Sequence, residues 1–150
     1  MMSEPFRHHV EVAAPPEKVF PYLIQSDLML LWMGDHAVLE PWPGGEFAVD
    51  INGVPVRGRY LVVEPPRRLV LTWGHAGSGT FPPGSTTVEM TLTPTATGTL
   101  LTVEHRDLPT EQAPQHALGW PHFVNRLAIA ATGQDPGPDP FAANGIGQPP

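Results

Sequence analysis

Alternating apolar and polar residues dominate the middle of the chain. Short runs rich in Val, Leu, Phe and Tyr are bounded by Gly or Pro, a pattern typical of antiparallel strands joined by tight turns. The pattern predicts six strands, at His36–Glu40, Glu46–Ile51, Val56–Glu64, Arg68–His75, Thr86–Thr93 and Thr99–Arg106. Side chains also alternate in Phe6–Ala14, which predicts a first strand. Asn52-Gly53 and Ala96-Thr97-Gly98 are hairpin signals between neighbouring strands.

Helical patterns flank this strand-rich region. Pro15-Pro16-Glu17-Lys18 can open a short helix, which Pro21 should bend or shorten. A second short helix is predicted to end at Gly34. A longer helix is predicted from about Ala113 to Ala131, because apolar or aromatic residues recur at steps of three and four. Its predicted inner face carries His116, Trp120, Phe123 or Val124, and Leu127.

Together these elements predict an α+β fold. A curved antiparallel sheet of six or seven strands has an apolar face that must be covered. The C-terminal helix is the predicted element long enough to cover it, and such a helix does not fill the whole concavity. We therefore expect a helix-grip fold with an internal pocket, formed by residues 5–132. Residues 133–150 are rich in Gly and Pro and predict a flexible tail, or one docked through Phe141.

Composition excludes several classes of function. The chain has 150 residues and a net charge of -7, which argues against nucleic-acid binding. It has no cysteine, and none of its seven histidines forms a His-x-x-x-His helical pair, so no metal and no cofactor is predicted. No stretch reaches the length of a membrane span, and the first ten residues do not look like a signal peptide. We expect a cytoplasmic protein without membrane insertion.

Several short motifs carry a family resemblance. They are Pro43-Gly44-Gly45-Glu46-Phe47, Gly58-Arg59-Tyr60-Leu61, Pro66-Arg67-Arg68-Leu69 with Thr72-Trp73, Gly98-Thr99 leading to His105, and His116 with Gly119-Trp120. In this order they resemble the START-like (SRPBCC) superfamily. Within it they are most similar to the family related to the C-terminal domain of the heat-shock-protein-90 ATPase activator. The resemblance covers about residues 5–131.

This resemblance implies a helix-grip fold with a cavity, but no particular reaction. Relatives in the wider superfamily bind lipids, hormones or polyketides, and some are cyclases. The chaperone activator has a second, N-terminal domain that a chain of this length does not accommodate, so chaperone activation is not carried over.

Strand alternation also predicts which side chains line the pocket. One face of each of the last three strands, together with the inner face of the C-terminal helix, gives an apolar and aromatic lining with a few polar points. The predicted ligand-binding residues are Leu71, Trp73, Met90, Leu92, Val103, His105, His116, Trp120 and Phe123. His105 and His116 could orient a ligand or act as a base, or they could be core histidines with purely structural partners. His75, beside a Gly/Pro/Ser-rich loop, is expected to be exposed.

Three hypotheses about function follow. The first is binding of a small apolar or amphipathic molecule between the sheet and the C-terminal helix. The second is a cyclase- or hydratase-type enzyme with His105 or His116 as acid or base, although no catalytic motif is evident. The third is an interaction module for a chaperone or another protein, which predicts an exposed apolar patch on the outer face of the sheet. A homodimer is left open.

Overall fold

A seven-stranded antiparallel sheet curves around one long helix in the computed structural model, which describes residues 4–141. The strands are β1 (Phe6–Val12), β2 (His36–Leu39), β3 (Glu46–Ile51), β4 (Val54–Glu64), β5 (Arg68–His75), β6 (Thr86–Thr95) and β7 (Gly98–Arg106). Their order across the sheet is β1-β7-β6-β5-β4-β3-β2. The predicted α+β helix-grip fold is confirmed. Residues 142–150, the second half of the segment predicted to be a tail, lie outside the described residues.

Tight turns and one irregularity shape the sheet. Asn52 and Gly53 both have positive φ (53° and 86°), as a two-residue type I′ hairpin between β3 and β4 requires. A register shift between Tyr60 and Val62 interrupts the pairing of β4 with β5. Such a bulge bends the strand and increases its twist, which helps the sheet to curve.

Short helices follow β1. They are α1 (Pro16–Val19), α2 (Pro21–Ile24) and α3 (Ser26–Met29). Pro21 lacks a backbone N–H, and α1 ends two residues before it, so the first of the two predicted short helices is divided into two. A 3₁₀ turn at Thr110–Gln112 leads into α4 (Ala113–Ala130), which continues through Pro121. No helix within residues 4–141 has the length and apolar character needed to cross a bilayer.

The two faces of the sheet differ in chemistry. Side chains on the inner face of the sheet are buried, as the alternation predicted for Leu69, Leu71 and Trp73 on β5. The opposite face carries a continuous row of ion pairs across five strands. Its members in spatial order are Arg7, Glu104, Arg106, Glu89, Arg68 and Glu64. The core therefore lies between the sheet and the helices.

Candidate ligand site beneath the C-terminal helix

The indole ring of Trp73 stands at the centre of the interior. It is 2% exposed, and its position on β5 directs it towards α4. Four aromatic rings surround it, with centroid distances of 5.8 Å to Phe47, 5.7 Å to His105, 6.3 Å to His116 and 5.1 Å to Trp120. These neighbours come from β3, β7 and α4, so Trp73 joins the sheet to the covering helix.

Two small voids flank Trp73. Each has a volume of about 10 Å³, roughly the room that one water molecule needs. The first is lined by Met33, Ile51, Trp73, His116, Gly119, Trp120 and Phe123. The second is lined by Leu23, Met29, Met33, Phe47, Leu69, Leu71, Trp73, Val88 and Met90. Met33 and Trp73 line both voids and thus form the partition between them. In this conformation neither void admits a ligand larger than water unless side chains move.

The structure buries all nine residues that the sequence predicted for the pocket but distributes them unequally. Trp73, His116, Trp120 and Phe123 line the first void, and Leu71, Trp73 and Met90 line the second. Leu92, Val103 and His105 line neither.

Met33 and Ile51 are among the void-lining residues that the sequence did not predict as pocket residues. Ile51 follows the alternation of Phe47 and Val49 in β3, so the same period-two pattern could have identified it. Met33 lies after α3, where no strand pattern or long helical pattern could place it.

His105 forms hydrogen bonds through both of its ring nitrogens. The Trp120 indole N–H donates to His105 Nδ1 at 3.0 Å, which makes Nδ1 an acceptor and leaves the proton on Nε2. Nε2 then donates to Thr86 Oγ1 at 2.8 Å, and that hydroxyl donates to the carbonyl oxygen of Trp73 at 2.6 Å. Burial lowers the pKa of His105 well below its ordinary value, and the nearby His116 and His75 lower it further. Both ring nitrogens of this neutral imidazole bond to the protein, the arrangement of a structural core histidine.

Within the described residues, His116 has one hydrogen-bond partner. Its Nδ1 lies 2.8 Å from the carbonyl oxygen of Gln112 and must donate to it, so Nε2 carries the lone pair. Nε2 is buried and has no hydrogen-bond partner within residues 4–141. Burial lowers the pKa of His116 to about 4, although the bond to Gln112 opposes this shift. His116 is therefore a neutral hydrogen-bond acceptor on the wall of the first void.

The loop after β5 packs a third histidine against this pair. Phe81 is fully buried, and its ring lies 4.5 Å from that of His75 and 5.5 Å from that of His116. His75 was expected to be exposed, but the Phe81 ring covers it and its Nε2 is buried. Burial lowers its pKa. The loop thus closes the end of the interior nearest the start of α4.

A larger depression lies on the surface, away from the interior. It has a volume of about 520 Å³ and is lined by Asp35, His36, Asp50, Gly53, Pro55 and Arg57. It is open to solvent, and Arg57 forms an ion pair with Asp50 at 2.9 Å. No group of residues in the described part of the chain has the composition to hold a metal ion, either here or around the three buried histidines.

The segment after α4 crosses its flank. The Arg126 guanidinium donates to the carbonyl oxygens of Pro136, Gly137 and Pro138 and to that of Trp32. We call residues 135–141 the C-terminal strap. Arg126 thereby ties the strap to the region just before Met33, which lines both voids.

The far end of the strap has a second anchor. The Asp139 carboxylate lies 2.7 Å from His122 Nε2 and accepts from the Asn52 side chain at 3.0 Å. Burial raises the pKa of Asp139, but the bonds from Asn52, the Phe141 N–H and His122 outweigh it and leave the pKa lowered. The Phe141 ring stacks on His122, with centroids 3.7 Å apart and planes 4° from parallel. The strap therefore bridges α4 and the β3–β4 turn, next to the void residues Ile51 and Phe123.

Residues 13–132 match the family described as "Activator of Hsp90 ATPase homolog 1-like protein". The chain belongs to this family. The resemblance to the START-like superfamily drawn from the motifs is thereby confirmed. No curated protein sequence matches the chain significantly.

Solved structures agree with this placement. An AHSA1-like protein from Rhizobium etli is 41% identical, with a TM-score of 0.72, and the match covers 93% of this chain and 90% of that one. DynU16, from the dynemicin biosynthetic locus, is 30% identical with a TM-score of 0.78; the match covers 91% of this chain but about half, 51%, of that one. The Aha1 dimer from Colwellia psychrerythraea is 19% identical, with a TM-score of 0.75 and coverage of 86% and 96%, and shows the shared fold.

The interaction-module hypothesis stays a prediction, as does the homodimer. The outer face of β6 and β7 carries Thr, Glu and Arg, but Val38 on β2 and Leu61 on β4 are exposed, as is Trp42 after β2. These side chains add apolar area to one end of the sheet.

Proposed function

We propose that this protein binds a small, largely apolar molecule in the interior between α4 and the sheet. The observation that carries the proposal is that Met33 and Trp73 line both voids and so belong to the partition between them. A methionine side chain has three rotatable bonds and fills irregular gaps, so it can change rotamer at low cost. Movement of Met33 would join the two voids into one elongated apolar cavity.

The surroundings of the partition support this proposal. Met29 and Met90 also line the second void, so three flexible side chains border the space that a ligand would take. Apolar cavities inside proteins bind apolar molecules such as benzene when they are large enough. The gain comes from the apolar surface removed from water, at about 25 cal/mol per Å². The occurrence of a relative in a biosynthetic locus is compatible with a small-molecule ligand.

The test is a titration of the protein with small cyclic probes, followed by NMR. With the methionine methyl groups labelled, binding of cyclohexanol or methylcyclohexane should shift the Met33 signal and raise the melting temperature. The four tryptophan indole N–H signals provide a second reading, since Trp73 and Trp120 line the first void.

A matched pair of variants tests whether the probes bind at the first void. Gly119→Ala adds a methyl group at the wall of the first void, whereas Asn125→Ala changes an exposed position of the same helix. Both substitutions raise helix propensity. We expect Gly119→Ala to weaken probe binding at least tenfold and Asn125→Ala to leave it unchanged. Absence of any shift with millimolar probe would refute the proposal.

A further inference from the structure

The hydrogen bonds of the C-terminal strap and of Arg126 reach three segments that line the first void. These segments are the end of β3, the stretch before β2 and the middle of α4. Each is contacted one residue away from a lining residue, at Asn52 beside Ile51, at Trp32 beside Met33 and at His122 beside Phe123. The strap is therefore placed to restrain the separation of three parts of the wall.

A single carboxylate joins two of these segments. Asp139 Oδ1 accepts from His122 Nε2 on α4 at 2.7 Å, and Asp139 Oδ2 accepts from the side-chain amide of Asn52 at 3.0 Å. Asn52 belongs to the β3–β4 turn. Because one residue of the strap bonds to both elements, α4 and this turn cannot separate at this point unless one of the two bonds breaks.

Ring contacts continue this link from the strap to the void. The Phe141 ring stacks on His122, with centroids 3.7 Å apart, and the Phe123 ring lies 4.8 Å from the same imidazole. Phe123 is 2% exposed and lines the first void. Release of the strap would remove the stacking partner and the carboxylate that hold His122 in place, and with them the support that His122 gives to Phe123.

The strap itself is held at the surface. None of residues 135–141 is buried, and none belongs to a helix or a strand. Hydrogen bonds and one ring stack hold the segment in place, whereas the sheet and α4 are held by the buried core. Surface segments of this kind open at a lower free energy than the whole protein unfolds. The strap can therefore detach while the sheet and α4 stay folded.

We propose that the strap is a latch on the ligand site, which holds the first void in its small form and is released when a ligand occupies the joined voids. This inference rests on the proposed function, because it describes how access to that same site is controlled. The void of about 10 Å³ admits a ligand only when its walls move, and the strap restrains three wall segments. Attachment of the strap and binding of the ligand therefore compete, and each weakens the other.

The first experiment weakens the latch outside the void. Asp139→Ala removes the bonds to both Asn52 and His122 and changes no residue that lines a void. Glu11→Ala is the control, since it removes the same charge from β1, at the edge of the sheet opposite β2. The dissociation constant of methylcyclohexane is measured by NMR titration at pH 7.5 for the full chain and both variants.

We expect Asp139→Ala to bind methylcyclohexane about tenfold more tightly than the full chain, in line with the loss of hydrogen bonds to a charged group in the closed form. Glu11→Ala should bind within about twofold of the full chain. Equal or weaker binding by Asp139→Ala overturns the inference.

A second measurement observes the strap directly. A stacked ring shifts the proton signals of the ring beneath it, so Phe141 marks the signals of His122 in the closed form. Phe141→Leu lacks this ring and supplies the reference signals for a released strap. Saturating methylcyclohexane should move the His122 signals of the full chain towards those of Phe141→Leu.

The outcomes separate this inference from the proposed function. If methylcyclohexane saturates the full chain and the His122 signals do not move, the strap stays closed in the complex, so the latch is refuted while ligand binding stands. Binding by Asp139→Ala alone supports both. If neither the full chain nor either variant binds any probe, the proposed function fails and the latch fails with it.

Discussion

His105 and His116 lie side by side in the interior, with ring centroids 5.1 Å apart, yet they differ in their hydrogen bonds. Both are almost completely buried, and burial lowers the pKa of both. His105 bonds to Thr86 and Trp120 through its two nitrogens. Within residues 4–141, His116 bonds to Gln112 through Nδ1, and its Nε2 has no hydrogen-bond partner. Two histidines of almost equal burial therefore differ in how many of their ring nitrogens have a hydrogen-bond partner within residues 4–141.

Acid should affect both histidines alike, and this is the largest effect that we expect. Between pH 7.5 and 5 the unfolded chain binds protons on histidines that stay neutral in the folded protein, so the free energy of unfolding falls as the pH falls. With a pKa of about 4, His116 alone accounts for about 2 kcal/mol of this loss. His105 and His75 add to it with the same sign.

Urea unfolding at several pH values across this window measures the effect. The lowered carboxyl pKa values of Glu89, Glu104 and Asp139 affect the free energy of unfolding mainly at lower pH. The histidine contribution can therefore be measured separately from the carboxyl contribution. A stability that does not change between pH 7.5 and 5 contradicts the buried neutral state of these histidines.

Among three substitutions by phenylalanine, the one at His105 should destabilise the protein most, because both ring nitrogens of His105 form hydrogen bonds. His105→Phe keeps a ring but removes the acceptor for Trp120 and the donor for Thr86. Two buried partners lose their bonds, so we expect a loss of about 2–4 kcal/mol in the free energy of unfolding. Chemical denaturation at pH 7.5 measures it. A loss below about 1 kcal/mol would show that the chain of hydrogen bonds contributes little.

Trp120→Phe tests one link of the same chain. It removes the donor to His105 Nδ1 and leaves that acceptor unpaired, while Nε2 can still donate to Thr86. We expect a loss of about 1–2 kcal/mol, from the missing bond and the smaller ring. The double variant with His105→Phe should cost less than the sum of the two single changes. Simple additivity in that cycle would mean that the two residues are not coupled.

The smallest change in the free energy of unfolding is expected for the substitution at His116. His116→Phe gives up the bond to Gln112 but also removes a buried nitrogen that has no hydrogen-bond partner in the described part of the chain. These two changes oppose each other, so the free energy of unfolding should fall by less than about 1 kcal/mol. If His116→Phe destabilises the protein as strongly as His105→Phe, the contrast between the two histidines is lost. The same denaturation experiment decides this.

The sequence predicts the architecture well because strand alternation and helical spacing are local patterns. The inward positions of Leu71, Met90 and Val103 follow from a period of two, and all three are buried. Pro21 shows the limit of such patterns, since the sequence predicts a disturbed helix but not its division into two.

The candidate site is harder to predict from local sequence patterns. The sequence leaves the role of His105 open, because its partners Thr86 and Trp120 come from β6 and α4 and meet only after folding. The two voids depend on how Met33 packs against Trp73, and no local pattern encodes that contact. Tertiary packing decides both features.

The limits of the family match, residues 13–132, would make a poor guide for truncation. Cutting there deletes β1, an edge strand that pairs with β7 from Phe6 to Val12. It also takes away the strap carbonyls that Arg126 binds, so that of its hydrogen bonds within residues 4–141 the one to the Trp32 carbonyl, at 3.3 Å, remains. Trimmed protein would expose a new sheet edge, with a greater tendency to aggregate. Ligand affinities of such a truncated protein would not represent those of the full chain. Shortened versions should therefore retain at least residues 5–141.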